Sequence, residues 1–263
     1  MTMHPLVVVD SMTMLRRNLR RMRRYPSLTF FIAGMPVVFL LLFVYVLGGT
    51  LGAGLGGLAG GRDEYTAYLL PGLLLVTVAG AAQGTAISIA MDMTEGIIAR
   101  FRTMAVGRTS VLTGHVIGSV IQTMLALAIV VRVALLIGFR PTTGPAEWAA
   151  AAGLLTLAAL AVSWLSIALG MLPDDVETAS NLPMILILLP FLSSAFVPTD
   201  SLPAALSWFA LVQPFTPVIE TLRGLLLGTA IVDSGVLAIT WCLGISVAGY
   251  LWARRLYERD RAR

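Results

Sequence analysis

Long apolar intervals, each bounded by charged residues, dominate the pattern of this chain. A helix of about 20 apolar residues crosses a hydrocarbon core of roughly 30 Å, because each residue adds about 1.5 Å. The pattern therefore predicts an all-α membrane protein with six transmembrane helices. The six intervals lie at 24–62, 64–92, 108–132, 147–174, 177–200 and 233–254, with the densest part of the first at 30–48 and the third continuing to Gly138.

A further uncharged stretch between the fifth and sixth predicted spans is interrupted by proline. Pro203, Pro214 and Pro217 divide it, and proline inside a helix removes a backbone hydrogen bond. One straight span is therefore not expected here. The whole segment 198–228 is predicted to form helices that enter the outer leaflet and return, with their backbone covered by protein.

Arginine is distributed unevenly between the two sides of the predicted spans. Six Arg lie in the N-terminal arm at 16–24, three lie in the loop at 100–108, and five lie in the tail at 254–263. Only three lie on the opposite side, and Arg132 lies within a span. Because cytoplasmic loops carry the excess of positive charge, both termini are predicted to be cytoplasmic.

Composition supports lipid as the solvent. Of 263 residues, 57% are hydrophobic and 12% are charged, whereas a soluble domain carries about 25% charged residues. No polar stretch is long enough to fold alone, so 1–263 is predicted to be one transmembrane domain. Cys242 is a single thiol, and neither His4 nor His115 has neighbours at ligand spacing. We therefore predict no metal site and no catalytic residue.

The N-terminal arm has an amphipathic pattern. Met12, Leu15, Leu19 and Met22 recur at helical spacing and share one face, while Arg fills most of the remainder. The segment 10–25 is therefore predicted to be an interfacial helix with its Arg near anionic headgroups. Two roles fit this pattern: an anchor that fixes topology, and a helix that transmits motion from a cytoplasmic partner.

The cytoplasmic loop between the second and third predicted spans is too long for a minimal turn. A short amphipathic helix within 92–110 would suit a groove on another protein, and a solvated loop is the alternative. The residues that we expect to couple the chain to a partner are Glu95, Gly96, Arg100, Phe101 and Arg102.

Three charged residues lie at membrane depth or beside it. Glu220 and Arg223 are three apart on a predicted helix and can form an ion pair, which either holds the re-entrant fold or contacts a substrate. Arg132 lies about 9 Å below the outer end of its span. It either snorkels to the interface, contacts another subunit, or binds an anionic group in a cavity.

An ordered set of short motifs resembles the permease subunits of ABC type-2 exporters, in particular the daunorubicin-type drug-resistance permeases. Single pieces are weak, but the set covers nearly the whole chain in order. Ala105 departs from the family pattern, which often has Pro there. The matching pieces are Tyr68-Leu-Leu-Pro71-Gly72, Glu95-Gly96 through Arg100-Phe101-Arg102, Gly170-Met-Leu, Leu192-Ser-Ser-Ala-Phe-Val-Pro198, Gln213-Pro214-Phe-Thr-Pro217 and Leu222-Arg223-Gly224.

The resemblance implies a six-span subunit of the bacterial inner membrane, with a coupling helix after span two and two re-entrant helices before the last span. It implies two permease subunits, identical or paralogous, paired with two ABC ATPase subunits that hold ATP and Mg. This chain would hold no cofactor and would have no nucleic-acid partner. A chain without Lys also lacks the phosphate-binding loop G-x-x-x-x-G-K-[ST], so ATP hydrolysis would occur on another chain.

The predicted function is ATP-driven export of a hydrophobic or amphiphilic substrate: a drug, a lipid or a glycolipid. The main alternative is a secondary transporter driven by an ion gradient, which should show ionisable residues near the midplane. An intramembrane enzyme is the other alternative, and it needs a nucleophile and a base within the spans. The sequence does not distinguish among the substrates.

Overall fold

The described part of the chain is helical throughout, without a β-strand. The computed structural model describes residues 16, 24, 26–47, 62–95, 108–173, 175–197 and 199–259. The predicted all-α class is confirmed. The α-helices are α1 (Pro26–Leu41), α2 (Arg62–Thr94), α3 (Arg108–Leu136), α4 (Pro145–Gly170), α5 (Val176–Asn181), α6 (Met184–Leu188), α7 (Ala204–Val212), α8 (Phe215–Leu227) and α9 (Val232–Arg259). Helix α1 continues as π-helical turns (Leu42–Leu47), and α6 continues as a 3₁₀ turn (Leu189–Leu192). A separate 3₁₀ turn (Thr199–Ser201) precedes α7.

Four of the described helices are long and apolar enough to cross a membrane. They are α2, α3, α4 and α9, which carry the predicted spans two, three, four and six. Where spans one and five were predicted, the described residues form shorter apolar segments, Ile32–Val46 and Val176–Leu192. The chain is therefore a multi-pass membrane protein, and the six-span layout stays a prediction.

The predicted fifth span is not one continuous helix. Helix α5 ends at Asn181, Pro183 is the N-cap of α6, and Pro190 lies in the first turn of the 3₁₀ segment. Each proline lacks the N–H that would continue the α-helical ladder. Pro183 and Pro190 interrupt the α-helical hydrogen bonds of this run, although the backbone at Leu182, Pro183 and Leu189 keeps right-handed helical angles.

Helix α5 begins with a capping aspartate outside the apolar segment. The Thr178 N–H donates a 2.7 Å hydrogen bond to Oδ1 of Asp175. This hydrogen bond lowers the pKa of Asp175, since it favours the charged carboxylate. The cap is thus present at neutral pH and weakens as the pH falls through the lowered pKa.

Helices α2 and α4 form the centre of the bundle. In their most apolar windows 72% and 61% of the residues are buried, against 33% and 28% in α3 and α9. Glycines permit close approach on both sides of α4. A Cβ added at Gly170 would lie 2.6 Å from the Ala86 carbonyl oxygen of α2, and one at Gly249 of α9 would lie 2.8 Å from the Leu165 nitrogen of α4. Small residues allow such backbone contact between membrane helices.

The proline-rich segment contains two helices, α7 and α8, separated at Gln213-Pro214. Helix α8 packs on α2, α4 and α9, whereas most of α7 is exposed. Neither helix begins with a side-chain cap. Prolines occupy both N-cap positions, and Thr216 lies inside α8, where its hydroxyl donates to the Ala210 carbonyl. The depth of α7 and α8 in the membrane stays a prediction.

We expect Gly249→Ala to destabilise the protein by about 1–3 kcal/mol, because the new methyl group meets the α4 backbone. Gly244 lies on the same helix with nothing within 4 Å of an added Cβ, so Gly244→Ala is the matched control. It should be neutral or slightly stabilising, since alanine favours helix more than glycine does. Unfolding of the purified variants in detergent measures both; equal midpoints would contradict the assigned contact.

Candidate functional site

Helix α2 carries a polar cluster near each of its ends. Tyr68 belongs to the first cluster and Asp92 to the second. They are 24 residues apart, or about 36 Å along a regular helix. The part of α2 between these two residues forms part of a cavity wall, so α2 connects both polar clusters with the cavity.

The first cluster is centred on Arg223 of α8, whose side chain is only 13% exposed. Its Nη1 donates to Oε1 of Glu220 at 2.8 Å, and its Nη2 donates to the carbonyl oxygens of Ser194 at 2.8 Å and Tyr68 at 3.3 Å. The guanidinium carbon lies 4.0 Å from the centroid of the Tyr68 ring, a cation–π geometry. Tyr68 also donates its hydroxyl to Ser194. Arg223 therefore binds α8, α2 and the segment after α6 together.

Two more contacts hold the segment 192–195, one to the junction of α7 and α8 and one to α2. The Gln213 side-chain nitrogen donates to the Leu192 carbonyl oxygen at 2.6 Å. Gly72 lies so close to this segment that an added Cβ would be 2.5 Å from Cβ of Ala195. Glycine is thus required where the backbone of α2 meets the segment. Motifs far apart in the sequence meet at this one place.

The sequence-predicted pair Glu220–Arg223 is formed, and its surroundings favour the structural role. Arg223 makes three hydrogen bonds within the protein, while Glu220 is 41% exposed. The arginine is consequently held mainly by carbonyl groups and an aromatic ring. Glu220 is the more exposed side chain of the pair.

The second cluster is a buried Asp–His pair that the sequence reasoning missed. Oδ2 of Asp92 lies 3.0 Å from Nε2 of His115, and both residues are 5% exposed. Asp92 ends the apolar interval 64–92, where a carboxyl group would ordinarily reach water, yet it is buried. Helix α3 returns alongside α2 here, and Ile89, Leu112 and Val116 pack into a buried apolar cluster at this end. The available signal was a histidine at the start of one span and a carboxylate at the end of the preceding one.

A cavity of about 480 Å³ lies among α1, α2, α3 and α6. One side is apolar and is formed by α1 and α6; the other is formed by α2 and α3 and carries polar side chains. The apolar side is lined by Ile32, Met35, Pro36, Phe39 and Ile187, and the polar groups of the other side are Gln83, Thr85, Ser88, His115, Ser119 and Gln122.

Hydroxyl groups join the helices behind the polar wall. The hydroxyls of Thr85 on α2 and Ser119 on α3 are hydrogen-bonded, and Ser163 of α4 donates to Ser119 at 3.0 Å. Neutral hydrogen bonds of this kind stabilise contacts between membrane helices. The wall that α2 and α3 present to the cavity is therefore one bonded unit.

An aromatic cluster connects α1 with the segment after α6. Phe39 contacts Phe191 edge to face, with centroids 6.0 Å apart, and Phe191 stacks on Phe196 at 4.8 Å. Phe196 in turn lies 5.2 Å from Phe43. Phe39 also lines the cavity, so the aromatic cluster meets the cavity at that ring.

Most of the predicted coupling residues lie outside the described part of the chain. Glu95 is described: it is exposed, and its N–H donates to the Met91 carbonyl at 2.9 Å as α2 ends. Arg132 is exposed on α3 and is not among the residues that line the cavity. The predicted residues outside the described ranges are Met12, Leu15, Leu19, Met22, Gly96, Arg100, Phe101 and Arg102.

We expect Arg223→Gln to destabilise the protein by about 3–5 kcal/mol, because it leaves carbonyl groups and a carboxylate without their charged donor. Glu220→Gln should cost less than about 1 kcal/mol, since Arg223 keeps its two carbonyl partners and the Tyr68 ring. Unfolding in detergent compares the two variants. Equal costs would show that the carboxylate, and not the carbonyl groups, holds the arginine.

We expect Asp92→Asn and His115→Gln each to destabilise the protein by roughly 2–4 kcal/mol, because each leaves a buried polar partner with a weakened contact. The double variant should lose less than the sum, giving a coupling energy of about 1–3 kcal/mol. A double-mutant cycle on thermal unfolding measures it. Additive losses would mean that the two side chains do not interact.

Comparison with known proteins places this architecture in a family. The model of the ABC-2 type transporter family matches residues 10–227. The chain is 30% identical to the daunorubicin resistance ABC transporter permease protein DrrB1 of Streptomyces coeruleorubidus, over 85% of this chain and 77% of the relative. It is 19% identical to the probable doxorubicin resistance ABC transporter permease protein DrrC of Mycobacterium tuberculosis, over 81% and 75%. With its apolar helices, this chain belongs to the ABC-2 type transporter family and is a membrane subunit of an ABC transporter.

Proposed function

We propose that this chain is the permease of an ATP-driven exporter and that α2 and α3 carry motion from a cytoplasmic ATPase to the cavity. The observation that carries the proposal is the continuity of these two helices. Each forms part of the cavity wall, and the segment 96–107 joins the end of α2 to the start of α3. A force on that segment would reach the cavity through rigid helices, without an intervening flexible element.

The assembled transporter would contain two permease chains, identical or paralogous, and two ABC ATPase chains that hold ATP and Mg. The arm at 10–25 and the segment 92–110 would contact the ATPases, with both termini in the cytoplasm of a bacterial cell. The excess of Arg in the arm, that segment and the tail supports this orientation. The 198–228 segment would lie at the outer side, where the substrate leaves.

The substrate would be a hydrophobic or amphiphilic molecule. Two features support this: the largely apolar cavity, and the names of the relatives, which refer to resistance to daunorubicin and doxorubicin. Drug, lipid and glycolipid all fit this description. The chain itself would perform no covalent chemistry.

An ion-gradient-driven transporter is the second candidate, and the buried pair Asp92–His115 is the observation that favours it. Such a pair can exchange a proton with a pathway. The pair is, however, the only ionisable contact among the described residues lining the cavity, and it lies at one end of α2. A path of further ionisable groups along the cavity is not formed by the residues described there.

The test is transport in proteoliposomes that contain the chain with its ATPase partner. ATP with Mg should drive uptake of a fluorescent amphiphile into vesicles whose ATPases face outwards, and a non-hydrolysable nucleotide should not. A proton gradient without ATP should drive none. Transport that needs the gradient and ignores ATP would replace this proposal with the second candidate.

Charge reversal tests the coupling segment. Arg100→Glu with Arg102→Glu should reduce substrate-stimulated ATPase activity by about tenfold, since coupling between two sites is typically 1–3 kcal/mol. Membrane insertion and basal assembly should persist. Arg255→Glu with Arg259→Glu, two exposed positions of α9 on the same predicted side, is the charge-matched control. Equal losses in both would assign the effect to cytoplasmic charge in general.

A further inference from the structure

We propose that the cavity among α1, α2, α3 and α6 is a ligand site inside a single copy of the chain, and that it selects amphiphiles whose polar edge donates hydrogen bonds and carries no negative charge. The inference deepens the proposed function and rests on it where it treats the bound molecule as the cargo. Binding itself requires neither the ATPase nor a second permease chain.

The dimensions and the two-sided lining of the cavity fit one small amphiphile. Small-molecule sites usually measure about 300–1,000 Å³ and combine apolar walls with a few polar groups. This cavity measures about 480 Å³, with α1 and α6 apolar and the polar groups on α2 and α3. A ligand with one apolar face and one polar edge satisfies both sides at once.

The amide groups of the polar wall leave acceptors for the ligand. The Gln83 nitrogen donates to the Ser180 carbonyl at 3.0 Å, and the Gln122 nitrogen lies 3.4 Å from the Thr29 hydroxyl. Both amide nitrogens are thus directed at protein atoms, while each amide oxygen accepts from none of the described residues. A ligand hydroxyl or ammonium group can donate to these oxygens.

The described lining carries no arginine or lysine. His115 is its only ionisable residue, and the Asp92 carboxyl group lies 3.0 Å from His115. A phosphate, sulfate or carboxylate in the cavity therefore meets no free cationic side chain among the described residues.

An anionic group would therefore lose its hydration in this cavity without compensation. Burial of an unpaired charge is costly in an apolar medium, whereas a neutral hydroxyl group that gains a hydrogen bond is not penalised in the same way. The residue types of the wall consequently discriminate by charge. They tolerate variation in the apolar part of the ligand, because α1 and α6 offer only van der Waals contact.

Two photoreactive single-chain amphiphiles with the same diazirine-bearing alkyl chain test the selectivity: an alkyl glucoside, which is neutral and hydroxyl-rich, and an alkyl phosphate, which is anionic. The full chain, purified without any ATPase in nanodiscs of neutral lipid, is irradiated with each. Mass spectrometry locates the label. We expect saturable labelling of α1, α2 and α3 by the glucoside and at least about tenfold weaker labelling by the phosphate, because burial of its charge is uncompensated.

Glycine substitutions identify the cavity as the site. Gly80 lines the cavity and has nothing within 4 Å of an added Cβ, so Gly80→Leu fills the space without a clash at that atom. It should abolish the saturable labelling. Gly153 of α4 is exposed and equally unobstructed, so Gly153→Leu is the matched control and should label like the unmodified chain. Equal labelling in both variants would overturn the proposed site.

Removal of the amides tests the polar wall. Gln83→Leu combined with Gln122→Leu roughly keeps the volume and removes both acceptors, so it should weaken labelling by the glucoside by about tenfold, the effect of two lost neutral hydrogen bonds. Unchanged labelling by the glucoside would overturn the assignment of its polar contacts to these groups. Failure here is separable from failure of the proposed function: ATP-driven export without saturable labelling contradicts only the site, and labelling without ATP-driven export contradicts only the exporter.

Discussion

This structure depends on one constraint: backbone polar groups beside hydrocarbon need hydrogen-bond partners within the protein. Arg223 supplies such a partner at the non-helical segment that follows α6. Where α6 gives way to non-helical chain, the Ser194 carbonyl has no helical partner, and lipid offers no water to replace one. Arg223 supplies a charged donor to that carbonyl and to Tyr68, while Gln213 serves Leu192. A proline-broken segment can thus lie against α2 with the carbonyl groups of Leu192 and Ser194 paired.

The bundle contains two kinds of contact between its helices. Helices α2, α4 and α9 meet through glycine, with backbones close enough that one methyl group at Gly170 or Gly249 would collide. Helix α1 and the segment after α5 meet each other through larger apolar side chains such as Phe39 and Phe191. Close glycine contacts fix the spacing of helices, whereas contacts between long side chains can repack. The cavity lies at the boundary between these two parts.

The sequence predicted what depends on local pattern and missed what depends on the packing of helices. The lengths of the apolar intervals predicted α2, α3, α4 and α9, and the three-residue spacing predicted the Glu220–Arg223 pair. Neither Asp92–His115 nor the cavity could be found in this way, because the relative rotation of α2 and α3 decides which of their residues face each other. The prolines in 198–228 led to the prediction that this segment is not one straight helix. Pro183 and Pro190 were not given the same importance, because the uncharged run around them suggested one helix.

The buried pair limits how the cavity can open. Separating α2 from α3 at their paired ends would part His115 from the Asp92 carboxyl group inside an apolar cluster, at a cost of several kcal/mol. About 10 Å along α2 the Thr85–Ser119–Ser163 hydroxyls join the same helices to α4. Helix α1 lines the cavity with apolar side chains and meets the polar wall through the long Gln122–Thr29 contact of 3.4 Å. On the proposed mechanism, a force entering at the junction of α2 and α3 would move these two helices together. The segment after α6 would follow, since Arg223 bonds it to α2, and α1 would be the side of the cavity that yields.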